Sequence, residues 1–221
     1  GFIMAKVSVG RAPRQFLADR AWRLYPLWLI AVLPWLLMAP HRVPRSAASL
    51  TLWPIYGDAY ALPALTVGWT LSFEILFYLA VAVALATRAA VPLATFAACF
   101  LLGLTTDSAL FGFAGSPMIL EFLLGVLIAG LKPNSRLALP LIASAGVVML
   151  SAPLALFSLD VALVPDRALY RVVMWGLPSA AILYAALSLE QRMKGRAFDV
   201  PVLLGDASYS IYLFHALVLL G

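Results

Sequence analysis

A chain of 221 residues that is 64% hydrophobic and only 11% charged stands far from the roughly 45–50% apolar, 25% charged make-up of a soluble domain. Its formal charge of +5 is carried by basic residues lying between apolar runs, the footprint of membrane topology, and no nucleic-acid partner is expected. Runs of about sixteen to twenty apolar residues exclude a β-barrel, and the single cysteine, Cys99, excludes an intrachain disulfide. The expected fold class is all-α, a polytopic transmembrane helical bundle of about seven spans.

Gly1-Phe2-Ile3-Met4-Ala5 reads as the tail of a helix, and the chain stops within the apolar run Ala216 to Leu220. No signal-peptide pattern is present. We therefore expect one transmembrane domain over 1–221, truncated at both ends and lacking upstream helices. Residues 6–23 form a basic segment with Lys6, Arg11, Arg14, Arg20 and Arg23. Spans are expected at about 24–39, 68–87, 89–105, 117–131, 137–154, 170–189 and 207–221. The longer connections fall at 40–67, 155–169 and 190–206, with Asp206 as the N-cap of the last span. Alternating the spans places eleven of the fifteen basic residues on one side, which the positive-inside rule makes cytoplasmic. The four on the other side are Arg42, Arg45, Arg167 and Arg171. No GxGxxG, P-loop, HExxH or CxxC motif occurs, which leaves no metal site or nucleotide-binding loop to expect.

Four stretches carry chemistry. In Gly68-Trp69-Thr70-Leu71-Ser72-Phe73-Glu74-Ile75-Leu76-Phe77-Tyr78 a carboxylate lies about two turns inside an apolar helix. Thr70, Glu74 and Tyr78 form one polar stripe at i, i+4, i+8. A carboxylate at that depth costs a few kcal/mol, so it faces a bundle interior or a wet cavity, as a catalytic or positioning group or in an internal salt bridge or hydrogen bond that holds helices together. Arg20 and Arg23, at i, i+3, can present both guanidiniums to a phosphorylated ligand at the inner membrane edge. The other reading makes them snorkelling anchors, with Asp19 and Arg23 as a local pair. Glu121 is a second buried acid, four residues before Gly125, which permits close helix approach; it either serves the same cavity or pairs with an arginine. Ser116-Pro117 looks like the start of its helix. Ser208, Tyr212 and His215 form an inward stripe on the last span, where His215 is either a base or a hydrogen-bonded packing residue. Trp175-Gly176-Leu177-Pro178 should kink its helix. His41 is expected to be solvated.

Together these stretches resemble the acyltransferase 3 family of integral membrane O-acyltransferases, and within it the bacterial exopolysaccharide acetyltransferase branch. The likeness rests on Gly1-Phe-Ile-Met4, Arg20-x-x-Arg23-Leu-Tyr-Pro26, Gly68-Trp-Thr-Leu-Ser-Phe-Glu74-x-x-Phe-Tyr78 and Gly205-Asp-Ala-Ser-Tyr-Ser-Ile-Tyr-Leu-Phe-His215, in family order over nearly the whole chain. The resemblance implies a fold of about ten spans in a bacterial cytoplasmic (inner) membrane. It also implies transfer of an acyl group, often acetyl, from cytoplasmic acyl-CoA such as acetyl-CoA to a sugar hydroxyl of a glycan or lipid-linked saccharide. Acyl-CoA is then a donor substrate and no cofactor is bound. Arg20 and Arg23 fall on the family's donor-side Arg-x-x-Arg motif. Glu74 falls on its Trp-x-x-Ser-x-Glu motif with Trp69 and Ser72, while Tyr78, Glu121, Ser208, Tyr212 and His215 take supporting places. The family's principal histidine lies in a first helix that these residues do not include, and a chain without it is expected to be inactive. His215 does not fill that role. With the arginines at the cytoplasmic edge and Glu74 in the outer half, roughly 20 Å of axial height is expected between them in a core about 30 Å thick. The competing reading is a transporter or flippase using Glu74 and Glu121 as coupling carboxylates, which would call for related halves that the sequence does not contain.

Overall fold

The computed structural model describes residues 1–38, 50–56, 59–60, 63, 65–87, 98, 101–102, 105–152, 165–190 and 199–220. In chain order the elements are α1 (Phe2–Val7), α2 (Pro13–Met38), strands β1 (Ile55–Tyr56) and β2 (Ala59–Tyr60), α3 (Trp69–Thr87), α4 (Ala109–Ala114) and α5 (Ile119–Gly130). Then follow α6 (Ser135–Ser151), α7 (Pro165–Arg171), a π turn over Val172–Gly176, α8 (Leu177–Leu189) and α9 (Asp199–Leu220). The two strands are a short antiparallel pair, Ile55 opposite Tyr60, in the connection before α3. The fold is the expected all-α membrane bundle. Among the described residues, Trp69–Thr87, Ala109–Gly130 and Asp166–Leu189 are long and apolar enough to cross a bilayer. Most of the span expected at 89–105, with Cys99, and also Arg88, His41, Arg42, Arg45, Arg192, Lys194 and Arg196, lie outside the described residues.

Helix boundaries differ from expectation where proline opens a helix. The first long helix takes in most of the basic segment and starts at Pro13 instead of about 24, with the Phe16 N–H bonded to the Ala12 carbonyl at 3.0 Å. Proline suits a first turn, where its missing N–H has no partner to lose. Residues 14–25 are mostly good helix formers, and the helix continues through Pro26 and Pro34. Pro165 likewise opens α7 inside the loop expected at 155–169, and α9 begins at Asp199 with Pro201 in its first turn. Asp206 is therefore a mid-helix residue and not an N-cap. The start expected at Ser116-Pro117 comes later: α5 begins at Ile119 with Met118 as its N-cap and no side-chain cap, while Met118 N–H donates to Ser116 Oγ at 3.4 Å and Ile119 N–H to the Ser116 carbonyl at 3.0 Å. Asn134 caps α6 by accepting from Arg136 N–H at 3.1 Å.

The chain forms two compact units, one from 1–10 with 115–199 and one from 11–114 with 200–221. In the first, α6 and α8 lie side by side and are latched at one end. Tyr184 Oη donates to the Lys132 carbonyl at 2.9 Å, and Asn134 N–H donates to Ser188 Oγ at 3.1 Å. The disturbance expected around Trp175–Pro178 is the π turn, in which Leu177 N–H bonds back to the Val172 carbonyl. Pro178 has no N–H to give to Met174, and widening the preceding turn absorbs that loss. Also in this unit, α1 packs on α5 at a pair of glycines: a Cβ on Gly125 would lie 2.6 Å from Phe2 N and 2.9 Å from Gly1 Cα. In the second unit α2, α3 and α9 pack together, and Phe73 stacks on Phe113 of α4 at 4.0 Å between centroids.

The glycine contact makes a direct test. Gly125→Val should lower the thermal unfolding midpoint measured in detergent micelles, at a cost of about 1–3 kcal/mol for overpacking. Gly130→Ala, which meets nothing within 4 Å, should leave the midpoint close to wild type.

Candidate functional site

The site in the second unit is set by how α2 lies against α3. Near the start of α2, Phe16 is fully buried and meets Tyr78 edge-on, with centroids 6.1 Å apart at 89°. Three turns later Trp28, also fully buried, occupies the space a Cβ on Gly68 would fill. Phe16 and Trp28 are roughly 18 Å apart along α2, and Tyr78 and Gly68 roughly 15 Å apart along α3. The helices therefore run antiparallel in a fixed register. Arg20 and Glu74 each lie one turn from the Phe16–Tyr78 contact, on the same side of it. They share a level in the bundle, which overturns the expected separation of roughly 20 Å. The expectation failed because it placed Arg20 at the edge, before a span starting near residue 24, whereas α2 already runs from Pro13.

Each member of the Thr70–Glu74–Tyr78 stripe has a partner. Tyr78 Oη donates to Glu74 Oε1, one turn away on the same helix. Thr70 Oγ1 and Tyr212 Oη are 2.6 Å apart, and Tyr212 Oη donates to the Val67 carbonyl at 2.6 Å. Tyr209 Oη donates to the Leu24 carbonyl at 2.8 Å. Two tyrosines three residues apart thus tie α9 to α2 on one side and to α3 on the other.

The two arginines are unlike. Arg23 is exposed, while Arg20 is half-buried, with its guanidinium carbon 6.0 Å from the Phe16 ring centroid. Asp19 does not pair with Arg23 as the anchor reading expected; its carboxylate binds Arg11, where the chain turns into α2. Arg20 Nε and Nη1 are buried and have no hydrogen-bond partner among the described residues. A charged donor left so is costly, by about 1–3 kcal/mol or more, unless an acceptor arrives.

Other expected site residues hold other places. Trp69 is buried edge-on to Phe73, 6.1 Å between centroids, and Ser72 is buried with no hydrogen-bond partner for Oγ among the described residues. The inward stripe on α9 is not Ser208–Tyr212–His215. Ser208 and His215 are exposed, and His215 Nδ1 lies 2.6 Å from the carbonyl of Tyr212 on its own helix. The inward face is Tyr209, Tyr212 and Leu213, the i, i+3, i+4 set beside the expected one. Sequence reasoning did not single out Phe16 or Tyr209. Their signal was spacing: Phe16 stands four residues before Arg20, and Tyr209 three before Tyr212.

Glu121 belongs to the first unit, where Arg171 Nε lies 4.0 Å from its Oε1. The two line a cavity of about 280 Å³ with Gly125, Trp175, Gly176 and Ser179. No cluster of histidine, cysteine, aspartate and glutamate able to hold a metal ion occurs among the described residues.

Comparison with known proteins places the chain in a family. The chain matches the acyltransferase 3 model, described as an acyltransferase domain, over residues 1–221. It is similar to the "Exopolysaccharide production protein ExoZ" of Rhizobium meliloti (strain 1021), with 32% identity covering 97% of this chain and 72% of that protein. No solved structure matches the chain.

The corrected face of α9 can be checked by stability. Tyr212→Phe removes the bonds to Thr70 and Val67 and should cost about 1 kcal/mol in denaturant unfolding. Ser208→Ala should cost nothing measurable.

Proposed function

This chain belongs to the acyltransferase 3 family and is a membrane protein that transfers acyl groups, and on that footing we propose that it carries an acyl group, acetyl in the simplest case, from cytoplasmic acyl-CoA to a hydroxyl of an exopolysaccharide. The sugar acceptor is suggested by the name of the Rhizobium relative, an exopolysaccharide production protein. The bacterial cytoplasmic membrane is the setting such a substrate pair requires, with donor made inside and glycan exported.

The observation that carries the reading is the half-buried Arg20, its Nε and Nη1 without a partner among the described residues, level with the Tyr78–Glu74 pair. Guanidiniums bind phosphate oxygens through paired N–H donors, and a CoA phosphate would supply the acceptor atoms these buried donors lack. The Phe16 ring lies 6.0 Å from the guanidinium carbon and is itself packed edge-on against Tyr78. Exposed Arg23, one turn further along α2, adds the second charge for the same anion.

In the transfer the acceptor alcohol oxygen attacks the thioester carbonyl carbon. The new C–O bond forms as the C–S bond breaks, and the alcohol proton ends on the departing CoA thiol. Such a step needs the hydroxyl to be oriented and its proton received. Glu74 is the group we assign to the acceptor hydroxyl, and the Tyr78 hydrogen bond holds its carboxylate in one orientation.

The assay is transfer of labelled acetyl from acetyl-CoA to surface glycan in membranes, at matched protein levels, by the protein with its expected upstream helices in place. Arg20→Ala should raise the donor KM by roughly 10–100-fold, the worth of a charge-assisted hydrogen bond, and Arg20→Lys should not restore it. Glu74→Gln should lower kcat by roughly 100-fold or more with the donor KM little changed. Full activity in both folded variants would make these residues structural.

A further inference from the structure

The connection from α2 to α3 lies deeper than the end of α2. Tyr25 Oη donates to the Thr51 carbonyl at 2.8 Å, and a Cβ on Gly68 would meet Trp28 Cη2 at 2.4 Å and Pro63 Cβ at 2.9 Å. Thr51, Pro63 and Gly68 thus lie near the level of Tyr25 to Trp28, roughly 15 Å short of Met38. The turns of α2 beyond Trp28 expose Leu29, Ile30, Leu33 and Leu37, an apolar face that belongs in hydrocarbon. The connection is therefore at membrane depth, yet it is built from a turn at Thr51–Leu52 and the strand pair β1–β2. Such backbone is tolerated there only where it is buried in protein or lines a water-filled cavity. Leu52, Pro63 and Leu65 are buried, whereas Thr51, Trp53 and Tyr60 are exposed and so face water.

This wet wall is aromatic and held in place. The Tyr60 ring lies 6.3 Å from Phe113 between centroids, and Phe113 stacks on Phe73, the residue before Glu74. The glycine at 112 makes room for the phenol, since a Cβ there would lie 2.5 Å from Tyr60 Oη. Trp53 follows the fully buried Leu52, and its N–H donates to Thr51 Oγ1 at 3.4 Å. Trp53 is 41% exposed and Tyr60 37%, which leaves part of each ring open while the rest is packed. From residue 50 to residue 67 the only charged side chain is Asp58, so this stretch offers no cation to a phosphate or sulfate. A neutral sugar needs none: its C–H face packs on an aromatic ring while its hydroxyls stay in water.

We propose that Trp53 and Tyr60 form a stacking platform for a neutral pyranose of the acceptor glycan, inside a wet vestibule open to the exported side. The ligand rests on the acyl-transfer reading; the vestibule does not. Arg42 and Arg45 precede this stretch on the side with few basic residues, which the positive-inside rule makes the exported one. The chain of rings from Tyr60 to Phe73 ties the platform to the helix that carries Glu74.

Two measurements on the full-length protein test the two parts. In right-side-out vesicles, on a cysteine-free background, Thr51→Cys should react with a membrane-impermeant charged thiol reagent added outside. Leu33→Cys, nearer the outer end of α2 but on its apolar face, should react about tenfold more slowly or not at all. Calorimetry in lipid nanodiscs prepared without sugar detergents should show saturable millimolar binding of methyl β-glucopyranoside or methyl β-galactopyranoside. Trp53→Ala should weaken that binding about tenfold, and Trp53→Phe, which keeps an aromatic face, by less than about threefold. In the transfer assay Trp53→Ala should raise the acceptor KM and leave the donor KM in place, the reverse of Arg20→Ala. A Thr51→Cys that is unreactive, or reached only from the cytoplasmic side, would overturn the proposal. So would absence of glycoside binding, or binding indifferent to both Trp53→Ala and Tyr60→Ala. Glycoside binding that tracks these substitutions in a protein that transfers no acyl group would leave this site standing and remove the acyl-transfer reading.

Discussion

The packing of Trp28 into the space left by Gly68 fixes the polar geometry of the second unit. With no Cβ at Gly68, the indole sits against the backbone of the turn that leads into α3, and the antiparallel helices cannot slide without losing both that contact and the Phe16–Tyr78 contact. This register brings Arg20 level with Glu74. A slip of one turn would move the guanidinium by roughly 5.4 Å, far beyond what a catalytic arrangement tolerates. Specificity of position here comes from apolar packing, and the polar groups inherit it.

The same unit solves the cost of ionisable groups in an apolar setting by unequal means. Glu74 is satisfied within its own helix, through Tyr78, so α3 brings both members of the pair into the bundle together. Asp19 is satisfied by Arg11 at the helix entry. Arg20 alone is held by an aromatic ring while buried N–H groups go unmatched among the described residues. Folding that leaves one charged donor unmet, while neighbouring acids are met, concentrates the available binding energy at a single place. On the reading proposed above, that is where an anionic donor would bind.

Much of this was legible in the residues. The membrane class followed from composition, the family likeness from four ordered motifs, and α3 from its uninterrupted apolar run; the family comparison bears the likeness out. The Thr70–Glu74–Tyr78 stripe followed from period alone. What escaped was tertiary. No local pattern reveals that Trp28 meets Gly68, and without that contact Arg20 and Glu74 looked far apart. The choice of Tyr209 over Ser208 as the inward residue of α9 turned on a rotation of one residue, about 100°, which a helix apolar on most sides does not specify. Helix starts at Pro13, Pro165 and Asp199 were missed because spans were drawn from apolar runs, and the polar turns that lead into these helices, each with a proline in its first turn, interrupt no such run.

The π turn at Val172–Gly176 amounts to one residue more than the α-helix needs to cover the same rise. Before it and after it, the helix obeys ordinary spacing; across it, the phase is shifted by about 100°. Arg171 and Ser179 are eight residues apart and would stand roughly 80° apart around an unbroken helix, yet both line one cavity. An evolutionary deletion of a single residue between them would leave hydrophobicity, length and charge almost unchanged and still rotate the whole of α8 relative to α7. The latch of Tyr184 and Ser188 onto the turn before α6 would then have to be found again from the wrong face. The placement of α8 against α6 therefore depends on residue count along this helix and not on its hydrophobicity alone.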